Sequence, residues 1–291
     1  MYKLLIIVGL GILCCNGLFS SCSYKDNDIV PDGLDEKYYV PQGEHEFDSK
    51  IVEFHDSTGT FILYRYDLVD AIWNVTGLYP NNAYPLEITL PKEEYLEKAL
   101  DLIFSQWLDL YPSTTLAVTL PRKILLADTI LKKSNSTDEG SLADYTYTVD
   151  NICIGNINES VNQITTSSKK KDYKSMLNYA YISYCIDYQK IEVPPAFYAE
   201  VDYSKVTSSN AEDWGIVNWK AGMGAKEDML GFINLIFTED QDMLDWFWFA
   251  GPEDWGMDTK GLIKKKCGIL VDEMKRLYGI DLEELTGLKL K

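Results

Sequence analysis

This chain has few histidines that could support catalysis or bind a metal. The sequence contains 2 histidines, His45 and His55. Neither has a second histidine four residues away, the spacing that points two imidazoles at one ion from a single helix. A catalytic zinc site takes three protein ligands and keeps a fourth position open. From these residue types we predict neither a metal site nor a cofactor.

Other catalytic groups are equally hard to assemble. A serine or cysteine nucleophile needs a histidine base in reach, and only His55 could serve. The sequence has no Gly-x-Ser-x-Gly elbow and no glycine-rich phosphate loop. Paired carboxylates of the glycosidase type stay open, because 45 Asp and Glu residues leave too many pairs to choose from. The sequence favours a non-catalytic protein, with a hydrolase that uses a rebuilt carboxylate site as the alternative.

Tryptophan is the remaining residue type that could bind a ligand. Most of the 7 tryptophans lie in the last third of the chain. Exposed indole rings would form a stacking surface for sugars, and the candidate aromatic binding patch consists of Trp214, Trp219, Trp246 and Trp248. The alternative is that these rings belong to the core, because tryptophan is buried on average and dominates packing.

Charge and composition limit the partners. The formal net charge is −18, so nucleic acid is not an expected partner, since nothing would neutralise its phosphates. Two short lysine runs, Lys169–Lys171 and Lys264–Lys266, are typical of a loop and of the solvated face of a helix. The 291 residues are 46% hydrophobic, which is enough for one large core.

The first residues form a targeting segment. Lys3 precedes an apolar run, residues 4–13, that is too short to span a bilayer. The sequence Leu18-Phe19-Ser20-Ser21-Cys22 resembles a bacterial lipobox, in which the cysteine receives lipid after cleavage. We expect a lipoprotein signal peptide over residues 1–21, with a plain secretory signal as the alternative.

The segment after Cys22 sets the expected location. Its Lys/Asp-rich start, Ser23-Tyr24-Lys25-Asp26-Asn27-Asp28, resembles the surface-export signal of Bacteroidetes lipoproteins, and an ordinary acidic tether is the alternative. Residues 22–50 are polar and interrupted by Pro and Gly, so we predict a flexible, lipid-anchored tether. The expected location is the outer membrane, with the protein exposed at the cell surface.

Three cysteines remain once the signal and the lipid site are set aside. Cys153, Cys185 and Cys267 are odd in number and widely spaced, which is neither a disulfide framework nor a zinc knuckle. Cys153 and Cys185 lie in apolar patterns, so buried thiols are expected. One bridge among the three is left open.

The rest of the chain, residues 51–291, is predicted to be a single α+β domain with a small mixed sheet followed by a mostly helical C-terminal half. Periodicity gives helices over 90–111, 169–189, 226–237 and 258–278, with an aromatic helical turn over 242–249. Alternation or short apolar runs predict strands within 51–66 (a helix is the alternative there), 114–120, 123–127 and 145–157. A loop is predicted over 74–85.

The order of these segments carries a family resemblance over about Phe47 to Leu285. The matching segments are Leu90-Pro91-Lys92-Glu93-Glu94, Pro121–Leu126, the helix Asp172–Gln189, Val193–Phe197, Lys226–Met229, and the tail Leu262–Leu285 with Gly279-Ile280-Asp281-Leu282. Together they resemble the zinc-binding metallopeptidase lipoproteins of Bacteroidetes, a gluzincin-like family. The resemblance implies a zincin-like fold.

It also implies where a metal site would be. The family's central helix resembles His-Glu-x-x-His, and alignment on Pro194 puts that motif at about residues 180–185. Here those positions include Ala180, Tyr181, Ser183, Tyr184 and Cys185, so no ligand or catalytic base remains, while Glu227-Asp228 survives from a later helix. The chain therefore resembles a degenerate member of the family. We expect it to bind a peptide, a glycan or a partner envelope lipoprotein, or to serve as a structural subunit of an envelope complex.

Overall fold

The structure is a computed structural model that describes residues 37–72, 86–133 and 138–291. The predicted signal peptide, Cys22, most of the predicted tether and the predicted loop over 74–85 lie outside the described residues. Residues Tyr39–Lys291 form one compact unit. No helix in the described ranges has both the length and the apolar character needed to cross a bilayer.

Seven strands build two small sheets among the described residues. They are β1 (Phe61–Leu63), β2 (Leu86–Thr89), β3 (Lys123–Leu126), β4 (Thr129–Lys132), β5 (Ser141–Leu142), β6 (Tyr145–Tyr147) and β7 (Asn151–Ile154). The larger sheet has the order β1-β3-β7-β6, in which β1, β3 and β7 are parallel and β6 is antiparallel to β7. The smaller sheet, β2-β4-β5, is antiparallel.

Burial explains why the parallel strands are short apolar runs. Every residue of β1, β3 and β7 is buried, as expected of parallel strands that are covered on both faces. β3 includes a lysine, Lys123, whose Nζ lies 2.6 Å from Asp150 Oδ2. That ion pair allows a charged side chain to be buried in the middle of the sheet.

Helices make up most of the remaining structure. They are α1 (Glu46–Thr58), α2 (Leu68–Ile72), α3 (Leu96–Gln106), α4 (Ser113–Thr119), α5 (Ser167–Asp187), α6 (Pro195–Tyr198), α7 (Ala225–Thr238), α8 (Gln241–Met243), α9 (Leu262–Tyr278) and α10 (Leu282–Thr286). A π-helical turn, Leu244–Trp248, follows α8. The predicted α+β class, with a small mixed sheet and a mostly helical C-terminal half, is confirmed.

The central helix organises the core. α5 packs against α3 and α7 and against strands β6 and β7. The side chain of Thr166 caps its first turn by accepting from the Lys169 N–H at 3.3 Å. Ten of the residues in α5 are buried, most of them in its second half. This placement puts residues 180–185 in the interior of the protein.

Two predicted strands are wrong. In the range 51–66, predicted as a hairpin, the first half belongs to the helix α1, whereas the second predicted strand is present as β1. The alternative of a helix is therefore right for half of the range. The helix starts at Glu46, inside the predicted tether, because the Asp48 carboxylate accepts from the His45 N–H at 2.9 Å. Ile51, Phe54 and Thr58 are buried at helical spacing.

The second wrong prediction is the strand over 114–120, which is the helix α4. Thr115, Leu116 and Thr119 are buried whereas Val118 is 70% exposed, so one helical face packs inward. Thr119 Oγ1 donates to the Thr115 carbonyl at 2.7 Å. Packing against α1 therefore outweighs the β propensity of this threonine-rich run.

Candidate functional site

The positions at which the resemblance would place the family motif are buried. Ala180, Tyr181, Ser183, Tyr184 and Cys185 are all buried, with Tyr181 at 0% exposure and Tyr184 at 1%. Two of the five are tyrosines, whose rings fill the space beside the helix. What these rings contact decides whether a ligand could reach α5 here.

Tyr181 is held by aromatic packing and by one hydrogen bond. Its ring lies 5.7 Å from the ring of Trp107 and 5.0 Å from that of Tyr111, the latter edge to face. Its hydroxyl is 2.5 Å from Thr119 Oγ1. Because the threonine proton is already given to the Thr115 carbonyl, Tyr181 is the donor. Burial raises the pKa of Tyr181 well above its usual value, so the phenol is neutral.

Tyr184 is held by a different set of partners. Its hydroxyl donates to the Val149 carbonyl at 3.2 Å. Its ring lies 6.0 Å from Tyr147 and 5.1 Å from Tyr188, which makes a cluster of tyrosines beside the edge strand β6. Burial also raises the pKa of Tyr184. Both rings are therefore structural members of the core.

The remaining motif positions are apolar or weakly polar. The Cys185 thiol lies 3.9 Å from the Thr119 carbonyl, and burial raises its pKa. Ser183 Oγ is buried and has no hydrogen-bond partner among the described residues. A neutral thiol and a short hydroxyl in this environment are poor metal ligands, because a thiol binds as the thiolate.

The acidic pair of α7 is engaged by protein groups. Glu227 caps the helix by accepting from the Gly224 N–H at 2.9 Å. The Asp228 side chain is fully buried and accepts from Lys266 Nζ at 2.5 Å and from the Tyr203 hydroxyl at 2.7 Å. An ammonium group therefore lies directly against this carboxylate.

Lys266 corrects the prediction that its lysine run is a solvated face. Its side chain is 4% exposed, and Nζ also donates to the Gly215 carbonyl at 2.8 Å. Nζ lies 4.7 Å and 4.9 Å from the ring centres of Phe197 and Phe232. Burial raises the pKa of Asp228 and lowers that of Lys266, and the attraction between the two charges opposes both shifts.

The two histidines lie near the start of the described chain. His45 Nε2 is 3.3 Å from Glu93 Oε2, and its ring stacks on Phe47 at 4.8 Å. His55 Nδ1 is 3.5 Å from Asp56 Oδ1. Within residues 37–72, 86–133 and 138–291, no group of three or more His, Cys, Asp or Glu side chains has the arrangement of a metal site.

The tryptophans of the candidate patch have different environments. Trp214 packs against the small cluster of Ala211, Ile216 and Met223, and Trp248 packs against the main core. Trp219 is 38% exposed and Trp246 is 52% exposed. Half of the predicted patch is therefore committed to packing, as the alternative proposed.

A tryptophan outside the predicted patch is far more exposed than its members. Trp255 is 88% exposed and has a φ of 63°, a left-handed conformation that is unusual for a bulky residue. Its backbone N–H donates to the Pro252 carbonyl at 3.2 Å in a short turn. The run Gly251-Pro252 indicated the turn, but no sequence signal indicated that the following indole would point outward.

The three cysteines among the described residues are free. Cys153, Cys185 and Cys267 are buried thiols, so the bridge that the sequence left open is not formed. Burial raises the pKa of Cys153 and of Cys267 to about 12 in each case. None of the three has the low pKa of a reactive cysteine.

Comparison with known proteins gives one distant likeness. No protein-family profile matches the chain. No curated protein matches it either. Among solved structures the chain is similar to the crystal structure of a "putative zinc-binding metallo-peptidase" from Bacteroides caccae, with a TM-score of 0.49 and 13% identity. The match covers 84% of this chain and 92% of that chain. A likeness this distant says nothing about the site, and membership of the family stays a prediction.

Proposed function

We propose that this protein is a lipid-anchored, surface-exposed binding protein with a metallopeptidase-like fold that has lost its zinc site. It would hold a peptide, a glycan or a partner lipoprotein without cutting it. The observation that carries the proposal is the buried, hydrogen-bonded packing of Tyr181 and Tyr184 at the positions where the family resemblance places the metal ligands.

The physical argument concerns space and charge. A catalytic zinc needs room for the ion, a bound water and the substrate. Tyr181 has no exposed surface and is fixed by Trp107, Tyr111 and Thr119. Asp228 already has the Lys266 ammonium as its counter-ion, and a zinc ion at the same carboxylate would be repelled by that charge.

Metal analysis tests the loss of the zinc site. The purified full-length lipoprotein in detergent is dialysed with excess zinc, freed of unbound metal and measured by elemental mass spectrometry, with the urea-denatured chain as the control for adventitious binding. We expect no more zinc on the folded protein than on the denatured one. One tightly held zinc per chain would overturn the proposal.

Lipid attachment is tested separately. Cells that express the protein are labelled with an alkyne fatty acid, with Cys22→Ala as the control. The expected outcome is label on the wild type alone, followed by loss of the protein when intact cells are treated with an external protease. A labelled Cys22→Ala variant would argue against Cys22 as the anchor.

A hydrolase with a rebuilt carboxylate site remains a second candidate. Asp144 and Asp172 line the same pocket, as the acids of a glycosidase must. Asp144 Oδ1 accepts from Asn156 Nδ2 at 2.7 Å, so one of the two carboxylates is already partly engaged. Incubation with aryl glycosides distinguishes the two functions, since only a hydrolase releases the phenol.

A further inference from the structure

A pocket of about 290 Å³ lies beside the N-terminal part of α5, away from the sealed positions. Its polar lining comes from Asp144, Asn156, Ser160, Gln163, Lys169 and Asp172. Ile164, Tyr173 and Met176 supply its apolar surface. Tyr173 precedes Tyr181 by two helical turns, roughly 12 Å along the helix axis.

We propose that this pocket binds one hydroxyl-rich ring, a single sugar residue of a glycan. The proposal rests on the proposed binding role and gives it a site and a ligand class. It is argued from the groups that are free to bind, the groups that are already fixed, and the size and charge of the pocket.

Several polar groups of the pocket are free. Among the described residues, no hydrogen bond or ion pair engages the side chains of Gln163, Lys169 and Asp172. They present an amide, an ammonium and a carboxylate, so the pocket offers both donors and acceptors. Sugar hydroxyls donate and accept at once and can use such a mixed set fully.

Tyr173 provides the second observation. It lines the pocket and is 8% exposed, yet its hydroxyl is buried without a hydrogen-bond partner among the described residues. Buried hydroxyls are almost always paired, and an exception calls for a ligand or a water. Burial raises the pKa of Tyr173 and the nearby Asp144 charge raises it further, so the phenol stays a neutral donor.

The opposite wall is fixed before a ligand arrives. Asn156 has a φ of 61°, and its amide donates to Asp144 Oδ1 at 2.7 Å. Ser160 Oγ donates to the Asn156 carbonyl at 3.2 Å. These bonds hold Asp144 in place and leave its second carboxylate oxygen to accept from a ligand hydroxyl. Preorganisation of this kind reduces the ordering that binding requires.

Size and charge favour a neutral ring. The volume lies at the lower end of the range for small-molecule pockets, so it suits one ring better than an extended chain. Asp144 and Asp172 disfavour an anion, and Lys169 in the same wall opposes a basic side chain. The apolar surfaces of Ile164 and Met176 suit the C–H face of a sugar.

The test uses the full-length protein in detergent and saturation-transfer NMR. The probes are the methyl glycosides of glucose, galactose, mannose and xylose, with N-acetyl-lysine amide as the competing basic probe. We expect at least one glycoside to bind and the lysine probe not to bind. If no glycoside binds, or if only the lysine probe binds, the proposal is overturned.

Three variants locate the binding. Asp172→Asn and Gln163→Ala each remove a group that faces the pocket and should weaken binding by about tenfold. Tyr173→Phe removes a hydroxyl without a partner in the folded protein, so binding should fall while the melting temperature stays at or above that of the wild type. Asp242→Asn, an exposed acid outside the pocket, is the matched control.

The outcomes separate this proposal from the binding role itself. Binding that survives all three pocket variants, or that is lost equally in Asp242→Asn, would place the sugar elsewhere and overturn the assignment. Tight zinc, or cleavage of an aryl glycoside, would overturn the non-catalytic role and leave the sugar result standing. These experiments therefore distinguish a failure of the sugar-binding proposal from a failure of the proposed non-catalytic role.

Discussion

At the scale of single residues, the ion pair between Lys266 of α9 and Asp228 of α7 allows a carboxylate to be buried in the core. Lys266 and Asp228 are both buried, and each compensates the charge of the other. Lys266→Met should destabilise the protein by roughly 3–5 kcal/mol, because it leaves the Asp228 carboxylate buried without a counter-ion. Urea denaturation measures the loss. The exposed neighbour Lys264→Met is the control and should change stability by less than about 0.5 kcal/mol.

The double variant Lys266→Met with Asp228→Asn distinguishes an ion pair from simple packing. With the charge of Asp228 removed, the double variant should recover much of the stability that Lys266→Met loses. Equal losses in the single and double variants would mean that the unpaired charge of Asp228 is not the cause of the loss, because methionine keeps an apolar stem of similar length at this position.

The burial of Lys266 could have been predicted from the sequence, whereas its ion-pair partner could not. Lys266 lies three residues after Ile263 and four before Leu270, which are both fully buried, so its position is on the apolar stripe of α9. Because it belongs to a run of three lysines, the sequence pattern indicated a solvated face and not a buried position. Its partners, the Asp228 carboxylate and the Gly215 carbonyl, lie on distant segments, and no local spacing predicts them.

At the scale of elements, the sequence predicts long periodic helices well and short segments poorly. α3, α5, α7 and α9 follow the predicted helices to within a few residues at most ends, because many apolar positions support each one. The residues of α1 and α4 show short alternating or apolar patterns that indicate strands, because patterns of this length do not separate a strand from a helix. The helical state of α1 depends on its cap, and both helices depend on their packing against each other. A short sequence pattern does not show that packing.

The cap of α1 gives a prediction for that element. Asp48 Oδ2 accepts from the His45 N–H, and Asp48 Oδ1 accepts from the Tyr64 hydroxyl, each at 2.9 Å. Asp48 therefore joins the start of α1 to the residue after β1. Asp48→Ala should cost about 1–3 kcal/mol in unfolding free energy by urea titration, since it removes the cap and leaves the Tyr64 hydroxyl unpaired.

Two further variants separate the functions of Asp48. Tyr64→Phe should cost less than Asp48→Ala, because it removes one of the two hydrogen bonds and leaves the cap. Glu53→Ala, at an exposed position in the middle of α1, should be nearly neutral. If Glu53→Ala costs as much as Asp48→Ala, the loss in Asp48→Ala cannot be assigned to the cap, because Glu53→Ala leaves the cap intact and does not lower helix propensity.

On the scale of the whole molecule, buried phenols and thiols make the fold sensitive to alkali. Burial raises the pKa values of five acids in the interior of the protein: Tyr111, Tyr173, Tyr181, Cys153 and Cys267. Each acid is therefore protonated in the folded state at a pH where the unfolded chain would have lost its proton. Stability is fully present below the unfolded values and falls as pH rises past them.

The expected result is a cooperative alkaline transition. The free energy of unfolding should be insensitive to these groups near pH 7 and should begin to fall above about pH 8.5, where unfolded cysteine ionises, and more steeply above about pH 10, where unfolded tyrosine does. The part of the tyrosinate absorbance at 295 nm that comes from the buried tyrosines should then appear in one step, together with loss of the near-UV circular dichroism of the core. Gradual ionisation of most tyrosines in a chain that remains folded would mean that these hydroxyls are open to solvent. The conclusion that the tyrosines of α5 are buried would then be wrong as well.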